Sequence, residues 1–214
     1  MLADRMRMNR PTAGDPYWSS VAALLHLEGS SGSTTITDHV TKIWSVHGDA
    51  KLSTAAAKFG SSSLILDGSG DSIYTADSTV VDITTGDFTV EMWVYRATSG
   101  VHHYLVSKRV SGTEASGYEW RISSSNTLQF FHVGGLLITS ALTVPSGEWV
   151  HLALSKASGT VRQFVNGVLD ANSGSFGSAT ANTSHFIIGT SEDWSGGFDG
   201  YIDEFRLTKG VCRY

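Results

Sequence analysis

A segment of strict alternation, residues 88–95 (FTVEMWVY), constrains the fold more than any other part of the sequence. Phe88, Val90, Met92 and Val94 fall on one side of a period of two, and the residues between them are polar or aromatic. This pattern predicts a β-strand whose apolar face lies between two sheets. Burying four such side chains contributes about 1.5–3 kcal/mol each, against a net stability of about 5–15 kcal/mol, so we expect this strand at the centre of the core.

Short apolar segments recur along the chain between glycine-rich turns. Asn166-Gly167 separates two of them and predicts a hairpin, because both residues tolerate a positive φ. Residues 21–28 have helix-forming composition, but their short length and the turn sequence EGSSGSTT favour a strand. With 23 Gly in 214 residues, the pattern predicts an all-β sandwich of two antiparallel sheets. Further strands are expected at residues 101–108, 118–123, 128–133, 136–142, 149–155 and 186–189.

The first 16 residues differ from the rest of the chain. Three of the four methionines occur in the first eight residues among arginines, and Pro11, Gly14 and Pro16 prevent a regular element. The segment is either a disordered tail or an arm that packs on a neighbouring subunit, for which methionine supplies adaptable contacts. We therefore predict an N-terminal arm at residues 1–16 and a single domain at residues 17–214.

The last strand, residues 198–207, combines apolar residues with an acid. In a regular strand Tyr201, Asp203, Phe205 and Leu207 share one face, and the residues between them share the other. A carboxylate among large apolar side chains is costly to bury unless it is hydrogen-bonded, paired or bound to a cation. The sequence therefore leaves three alternatives for Asp203, namely a divalent cation, a paired arginine or a solvated strand end.

Charge and composition narrow the function classes. The net charge of −5 argues against a general nucleic-acid-binding protein. No apolar run follows the N-terminal arginines to form a signal peptide, and no segment is long and apolar enough to span a membrane. The single cysteine, Cys212, excludes an intrachain disulfide. We expect a protein made in a cytoplasm that, if it reaches the outside, does so as part of a particle or through its host chain.

Six segments, in order along the chain, carry a resemblance to a known family. They are LLHLEGSSGSTTITDHV, KFGSSSLILDGSGDSIY, GDFTVEMWVY, SGEWVHLALSK, VRQFVNGVL and GFDGYIDEFRLTKGVCRY. They resemble laminin-G-like modules of the concanavalin A-like lectin/glucanase superfamily, and the ending TKGVCRY is similar to copies found in tailed-bacteriophage virion proteins. The resemblance implies a jelly-roll sandwich and a virion location. It also implies contacts with other virion proteins through the arm and loops, and a homo-oligomer.

The resemblance also implies one structural calcium ion. In the family the acid of the last strand binds calcium together with backbone carbonyls of early loops, which corresponds here to Asp203, Glu28 and the loop at Gly60. Hard oxygen ligands of this kind suit calcium. The sequence departs from the family at Glu28, where aspartate is usual, and pairing of Asp203 with an arginine remains the alternative.

Aromatic and polar side chains form a candidate glycan-binding set. We expect Trp93, Tyr95 and Trp120 to line the concave face of one sheet with Glu91 among the convergent polar groups, and Trp194 to offer a second option in a loop. Aromatic faces of this kind stack on sugar rings. The alternative is that Trp93 and Trp149 are framework residues that pack under loops.

Catalysis has little support in the sequence. Glucanases of related fold place two glutamates and an aspartate at alternate positions of one strand, whereas residues 88–95 offer only Glu91. We therefore predict a non-catalytic structural or adhesive component of a tailed-phage particle, a capsid decoration or tail-fibre module with surface-glycan adhesion. The alternative is a carbohydrate-binding module of a bacterial or secreted protein.

Overall fold

The computed structural model describes residues 14–110, 116–132, 135–178 and 180–214. Within these ranges a 3-10 helix of three residues, Trp18–Ser20, precedes the first strand. No helix in these ranges has the length and hydropathy needed to cross a bilayer. The strands are β1 (Val21–Leu25), β2 (Ser45–His47), β3 (Lys51–Ser53), β4 (Ser63–Asp67), β5 (Ser72–Thr75), β6 (Phe88–Arg96), β7 (His103–Arg109), β8 (Gly117–Ile122), β9 (Thr127–His132), β10 (Gly135–Thr143), β11 (Trp149–Ala157), β12 (Thr160–Val165), β13 (Val168–Ser175), β14 (Phe186–Ile188) and β15 (Asp199–Lys209).

The strands form two antiparallel sheets, which confirms the predicted all-β sandwich. The eight-stranded sheet has the order β13-β12-β11-β6-β15-β4-β3, and β1 pairs with β15 beside this path. The seven-stranded sheet has the order β10-β9-β8-β7-β14-β5-β2. Both strands on which the sequence interpretation depended most are present, since β1 lies within residues 21–28 and β6 covers residues 88–95.

The core lies between the two sheets and follows the alternation of the sequence. Phe88, Val90, Met92 and Val94 of β6 are buried in it. On β8, Tyr118, Trp120 and Ile122 also point inward. The indole N–H of Trp120 donates a 3.0 Å hydrogen bond to Gln163 of β12, so the polar edge of this buried ring is satisfied across the sandwich.

The hairpin predicted at Asn166-Gly167 joins β12 to β13. Both residues have positive φ, 50° and 77°, as a tight two-residue turn requires. The Asn166 side-chain oxygen also accepts a 2.9 Å hydrogen bond from the backbone N–H of His151, which ties the turn to β11.

The last strand, β15, occupies the middle of the eight-stranded sheet, but the predicted alternation of its second half is wrong. A β-bulge between Asp203 and Arg206 shifts the register against β6, and Glu204 has a φ of 50°. Beyond the bulge Phe205 and Leu207 point into the core together with Ile202, while Arg206 joins Asp203 on the outer face. An extra residue of this kind reverses the facing of every residue that follows it.

Candidate functional site

A buried polar cluster occupies the outer face of the eight-stranded sheet around Glu91. Arg206 donates to the Glu91 carboxylate from Nε at 2.8 Å, and the Tyr214 hydroxyl donates to it as well. The Nε2 atom of His151 lies 3.4 Å from the same carboxylate. Burial raises the pKa of Glu91, but the contact with His151 and the charge of Arg206 outweigh it and lower the pKa to about 2. Glu91 is therefore a charged carboxylate that its partners fully neutralise.

The two ends of the described chain close over this cluster. Arg213 forms an ion pair with Asp15 at 2.9 Å, and its guanidinium lies 5.4 Å from the centroid of the Tyr17 ring. Of the arm predicted at residues 1–16, the structure describes only residues 14–16, and residues 1–13 lie outside the described residues. Because Glu91 is only 1% exposed beneath Tyr214, its carboxylate is not accessible to a ligand.

Trp93 and Tyr95 follow Glu91 on the same face but differ in exposure. Trp93 is buried under the loop that follows β3, where Lys58 Nζ lies 4.2 Å from its ring centroid and the Phe59 ring packs edge-on at 5.8 Å. This is the framework role that the sequence left as the alternative. Tyr95 is half-buried, with its ring 5.9 Å from Trp149 and 6.0 Å from Tyr201.

The remaining two predicted glycan-binding residues lie elsewhere. Trp120 was expected on an exposed sheet face, but it is in the core at 1% exposure because β8 turns its even-numbered residues inward. Trp194 lies in the loop before β15, where its ring stacks on His47 at 4.2 Å and meets Tyr74 edge-on at 5.3 Å. The five predicted residues therefore do not form one surface. The sequence did contain a signal that Trp120 is buried, because residues 118, 120 and 122 alternate as the inward face of a strand.

A cleft of about 450 Å³ opens next to this loop, at one end of the sandwich. We call it the loop cleft. The turn after β4, the segment leading into β7 and the start of β15 form its walls. Its volume lies within the range usual for small-ligand sites. The residues that line it include Asp67, Val101, His102, Tyr104, Asp199 and the glycine-rich segment 195–197.

One wall of the loop cleft is held by hydrogen bonds within its own loop. The Asp193 carboxylate accepts from the Ser191 hydroxyl at 2.6 Å, and from the N–H and hydroxyl of Ser195 at 3.0 Å and 2.7 Å. Thr190 donates to the carbonyl of Gly196 at 2.9 Å. A Cβ at Gly197 would lie 3.1 Å from the backbone of Gly68, so glycine allows the two loops to approach. These hydrogen bonds make this wall of the cleft a preformed surface.

Polar groups and one aromatic ring converge on the loop cleft. Asp67 and Asp199 are directly opposite each other in the β4–β15 register, so their side chains lie side by side on one face of the sheet. Burial and the charge of Arg121 lower the pKa of His102, which favours its uncharged form. Burial and the charge of Glu119 raise the pKa of Tyr104, which keeps its phenol protonated. The loop option that the sequence gave at Trp194 lies next to this cleft, but Asp67, Tyr104 and Asp199 were missed because the glycine-rich segments beside them were taken only as turns.

The predicted metal-binding residues lie around residues 58–61. Asp203 Oδ2 accepts hydrogen bonds from the N–H groups of Lys58 at 2.8 Å and Phe59 at 3.0 Å, whereas Oδ1 is buried without a hydrogen-bond partner among the described residues. Burial raises the pKa of Asp203 to about 7, against the opposing effect of the two amides. A cation beside Oδ1 would satisfy this atom, so Asp203 fits the calcium that the resemblance implies.

Glu28 and Gly60 lie at the other end of the same loop. The Glu28 carboxylate accepts from the Ser61 hydroxyl at 2.8 Å and from its N–H at 3.1 Å. Gly60 has a φ of 65°, and a Cβ there would lie 1.3 Å from Glu28 Oε1, so glycine is favoured at this position. Backbone N–H groups, which cannot bind a cation, contact both carboxylates where carbonyl ligands were expected. The fit to a metal therefore depends on Asp203.

Three other acids lie together near the loop cleft. One carboxylate oxygen each of Asp49, Asp67 and Asp71 falls within 4.8 Å of the others. Asp71 is buried, and its two oxygens accept from the N–H groups of Asp49 at 2.8 Å and Asp67 at 3.2 Å. These hydrogen bonds account for Asp71 as a structural acid that joins two turns.

Residues 67–212 match the family described as the concanavalin A-like lectin/glucanases superfamily, which is more than half of the chain. The chain belongs to this superfamily. The matched region includes both sheets' central strands and Asp203, so the implied fold is confirmed. A comparison with curated protein sequences finds no match.

Solved structures share this fold at low sequence identity. Domain 4 of AbnA, an extracellular arabinanase from Geobacillus stearothermophilus solved with arabinotriose, has a TM-score of 0.69 at 18% identity, over 90% of this chain and 94% of that one. A Trypanosoma rangeli sialidase has a TM-score of 0.64 at 13% identity, over 89% of this chain and 31% of its own. Botulinum neurotoxin type C, whose cell entry depends on two ganglioside molecules, has a TM-score of 0.64 at 13% identity, over 89% of this chain and 48% of its own. The chain thus spans about a third of the sialidase and half of the toxin chain.

Proposed function

We propose that this protein is a non-catalytic glycan-binding domain and that the loop cleft is its binding site. The observation that carries the proposal is the convergence in one preformed cleft of an aromatic ring, an imidazole and two carboxylates. Tyr104 supplies an apolar ring face, and the carboxylates of Asp67 and Asp199 accept hydrogen bonds from sugar hydroxyls. The glycans named with the arabinanase domain and the toxin are consistent with this use of the fold.

A non-catalytic role is supported by the arrangement of carboxylates. Glu91 is the residue that corresponds best to a glucanase carboxylate in the sequence. Arg206 and Tyr214 cover it and donate hydrogen bonds to it, and its lowered pKa keeps it charged. A general acid for glycoside cleavage needs a raised pKa and contact with the substrate. Glu91 has neither property.

Titration calorimetry with a pair of tyrosine variants tests the proposed site. We expect saturable binding to at least one member of a glycan panel that includes arabinotriose, and Tyr104→Ala should weaken it at least tenfold, about 1.4 kcal/mol. Tyr95→Ala is the matched control, because Tyr95 is also a half-buried tyrosine but lies on the other sheet. Loss of binding in Tyr95→Ala alone would place the site on the predicted Trp93/Tyr95 face. Absence of saturable binding across the panel would refute glycan binding.

We further propose that the domain serves in a tailed-phage particle, as a capsid decoration or tail-fibre module that contacts other virion proteins. The resemblance of the TKGVCRY ending to phage copies of the module supports this role. Mass spectrometry of purified particles from cells that carry the gene should detect the chain in stoichiometric amount. Its absence from particles, with free protein remaining in the lysate, would contradict the virion role and leave glycan binding in place.

We also propose that Asp203 binds one structural calcium ion. The buried Oδ1 atom without a partner supports this proposal. Calcium at a hundred times its dissociation constant would stabilise the fold by about 2.7 kcal/mol. Thermal unfolding of the protein with calcium chloride or with EGTA measures this shift, and Asp203→Asn should abolish it. Equal melting temperatures with and without calcium would contradict the site.

A further inference from the structure

We infer that the loop cleft selects uncharged glycans and rejects those that carry carboxylate or sulfate groups. This inference rests on the proposed glycan-binding function and adds the class of ligand to it. It follows from the charges of the residues that line the cleft, which include the acids Asp67 and Asp199 but no lysine or arginine.

The two carboxylates inside the cleft have no cationic partner. Asp67 and Asp199 lie side by side on neighbouring strands, and the Asp67 Oδ1 atom accepts a 2.8 Å hydrogen bond from the N–H of Ser69. Within the described part of the chain, no lysine, arginine or histidine nitrogen lies within 4.0 Å of either carboxylate. Their charges are therefore neutralised only by solvent and by a ligand.

Acids also surround the mouth of the cleft. Asp71 lies beside Asp67, and Asp49, which is paired with Lys51, lies next to both, with one carboxylate oxygen of each within 4.8 Å of the others. Asp193 lies in the loop that forms one wall, and its hydrogen bonds with Ser191 and Ser195 lower its pKa. The mouth of the cleft thus adds negative charge to that of its lining.

The basic groups near the cleft are already paired or uncharged. Arg121 shares Glu119 with Arg109 and donates to Gln129 at 3.1 Å. Its guanidinium lies between two rings, 4.4 Å from the centroid of Phe131 and 5.9 Å from that of Tyr104, and it does not line the cleft. Lys51 lies 3.7 Å from Asp49. Burial lowers the pKa of His102, so its imidazole is uncharged near neutral pH. Arg121 and Lys51 thus already have acidic partners and do not line the cleft, and His102, which does, is uncharged.

An anionic ligand would meet repulsion that an uncharged one does not. Two like charges about 6 Å apart weaken binding about threefold in bulk water and by more at a protein surface, so two carboxylates amount to at least a tenfold loss of affinity. Uncharged sugars instead donate their hydroxyl hydrogens to the same carboxylates, and hydrogen bonds to a charged acceptor are the stronger kind. The same atoms thus favour one class and exclude the other.

Matched pairs of ligands test this selectivity by titration calorimetry at low and high salt. Suitable pairs are lactose with 3′-sialyllactose, and arabinotriose and cellotriose with oligogalacturonate of the same length. We expect the uncharged member to bind at least tenfold more tightly at 20 mM salt. The ratio should shrink at 500 mM salt, where the screening length is only a few ångströms.

Charge-neutral variants show whether the two cleft acids cause the preference. The double variant Asp67→Asn with Asp199→Asn should reduce the tenfold ratio to less than threefold. Glu148→Gln, an exposed acid outside the cleft lining, should leave the ratio unchanged. Equal or tighter binding of the sialylated or uronic ligand would overturn the charge selection while leaving glycan binding intact. Failure of every uncharged and acidic ligand to bind would overturn the function and the selectivity together.

Discussion

Replacement of Glu91 by glutamine should destabilise the protein more than any other exchange of an acid for its amide. The variant keeps the volume of the side chain but removes the negative charge of Glu91, which Arg206, His151 and Tyr214 contact. Arg206 is only 12% exposed at its side chain, and without Glu91 its guanidinium would keep only the longer contact with Asp15 at 3.7 Å. Removing one partner of a buried ion pair is strongly destabilising because the other charge stays buried.

The magnitude follows from the pKa of Glu91. Its contacts lower the pKa from 4.5 to about 2 in the folded protein. At about 1.4 kcal/mol per pKa unit, the charged carboxylate stabilises the fold by about 3 kcal/mol. Because the folded-state pKa is the lower one, this contribution is complete above about pH 5 and is lost as the pH falls towards 2.

Urea denaturation across a pH series measures this effect. We expect Glu91→Gln to lower the free energy of unfolding by about 3 kcal/mol at pH 7, and we expect the gap from the unmodified protein to narrow towards pH 2. Glu148→Gln, at an exposed acid, should change stability by no more than about 0.5 kcal/mol. A loss below about 1 kcal/mol at pH 7, or a gap that stays constant with pH, would refute the account of Glu91 as a neutralised buried charge.

Variants at three further sites, two of them with a matched control variant, test other parts of the structure. Burial raises the pKa of Asp203 from 3.8 to about 7, so its stabilising effect is present below pH 4 and lost as pH rises through 7. Asp203→Asn should therefore stabilise the calcium-free protein at pH 8 by about 1–3 kcal/mol in urea denaturation, and a destabilised variant would contradict this. Gly200→Ala should lose about 4 kcal/mol or fail to fold, because its Cβ would lie 2.0 Å from the carbonyl oxygen of Tyr95. Gly86→Ala, with a φ of 72° and nothing within 4 Å, should lose only about 1 kcal/mol in thermal unfolding, so equal losses would argue against the steric explanation. Asn166→Ala should lose about 2 kcal/mol, since it removes both a residue suited to a φ of 50° and the hydrogen bond to His151, and Asn166→Gly should recover about half of this.

Local patterns were sufficient to predict the fold. The alternation of residues 88–95 became β6, and the Asn166-Gly167 turn became the β12–β13 hairpin. Both depend on neighbouring residues alone, through the period of two of a strand and the backbone freedom of the turn residues. The same alternation also carried information that was not used, because Tyr118, Trp120 and Ile122 mark the inward face of β8.

The candidate site depended on contacts between residues far apart in the sequence. The loop cleft joins Asp67 to His102 and Asp199, which come together only because β4 pairs with β15 and the segment before β7 folds over their ends. The Glu91 cluster likewise needs Tyr214 and Arg206 beside it. Sequence spacing carries no record of such pairings.

The sequence by itself determined the two-sheet sandwich, since hydrophobic alternation and turn residues are properties of consecutive positions. Tertiary structure alone decided which side chains reach solvent. The bulge at Glu204 reversed the facing of Phe205 and Arg206, and the C-terminal segment covered Glu91. One unpaired residue inverts a strand face, and one docked segment buries a charge, because both effects arise from the partner that a residue meets rather than from the residue itself.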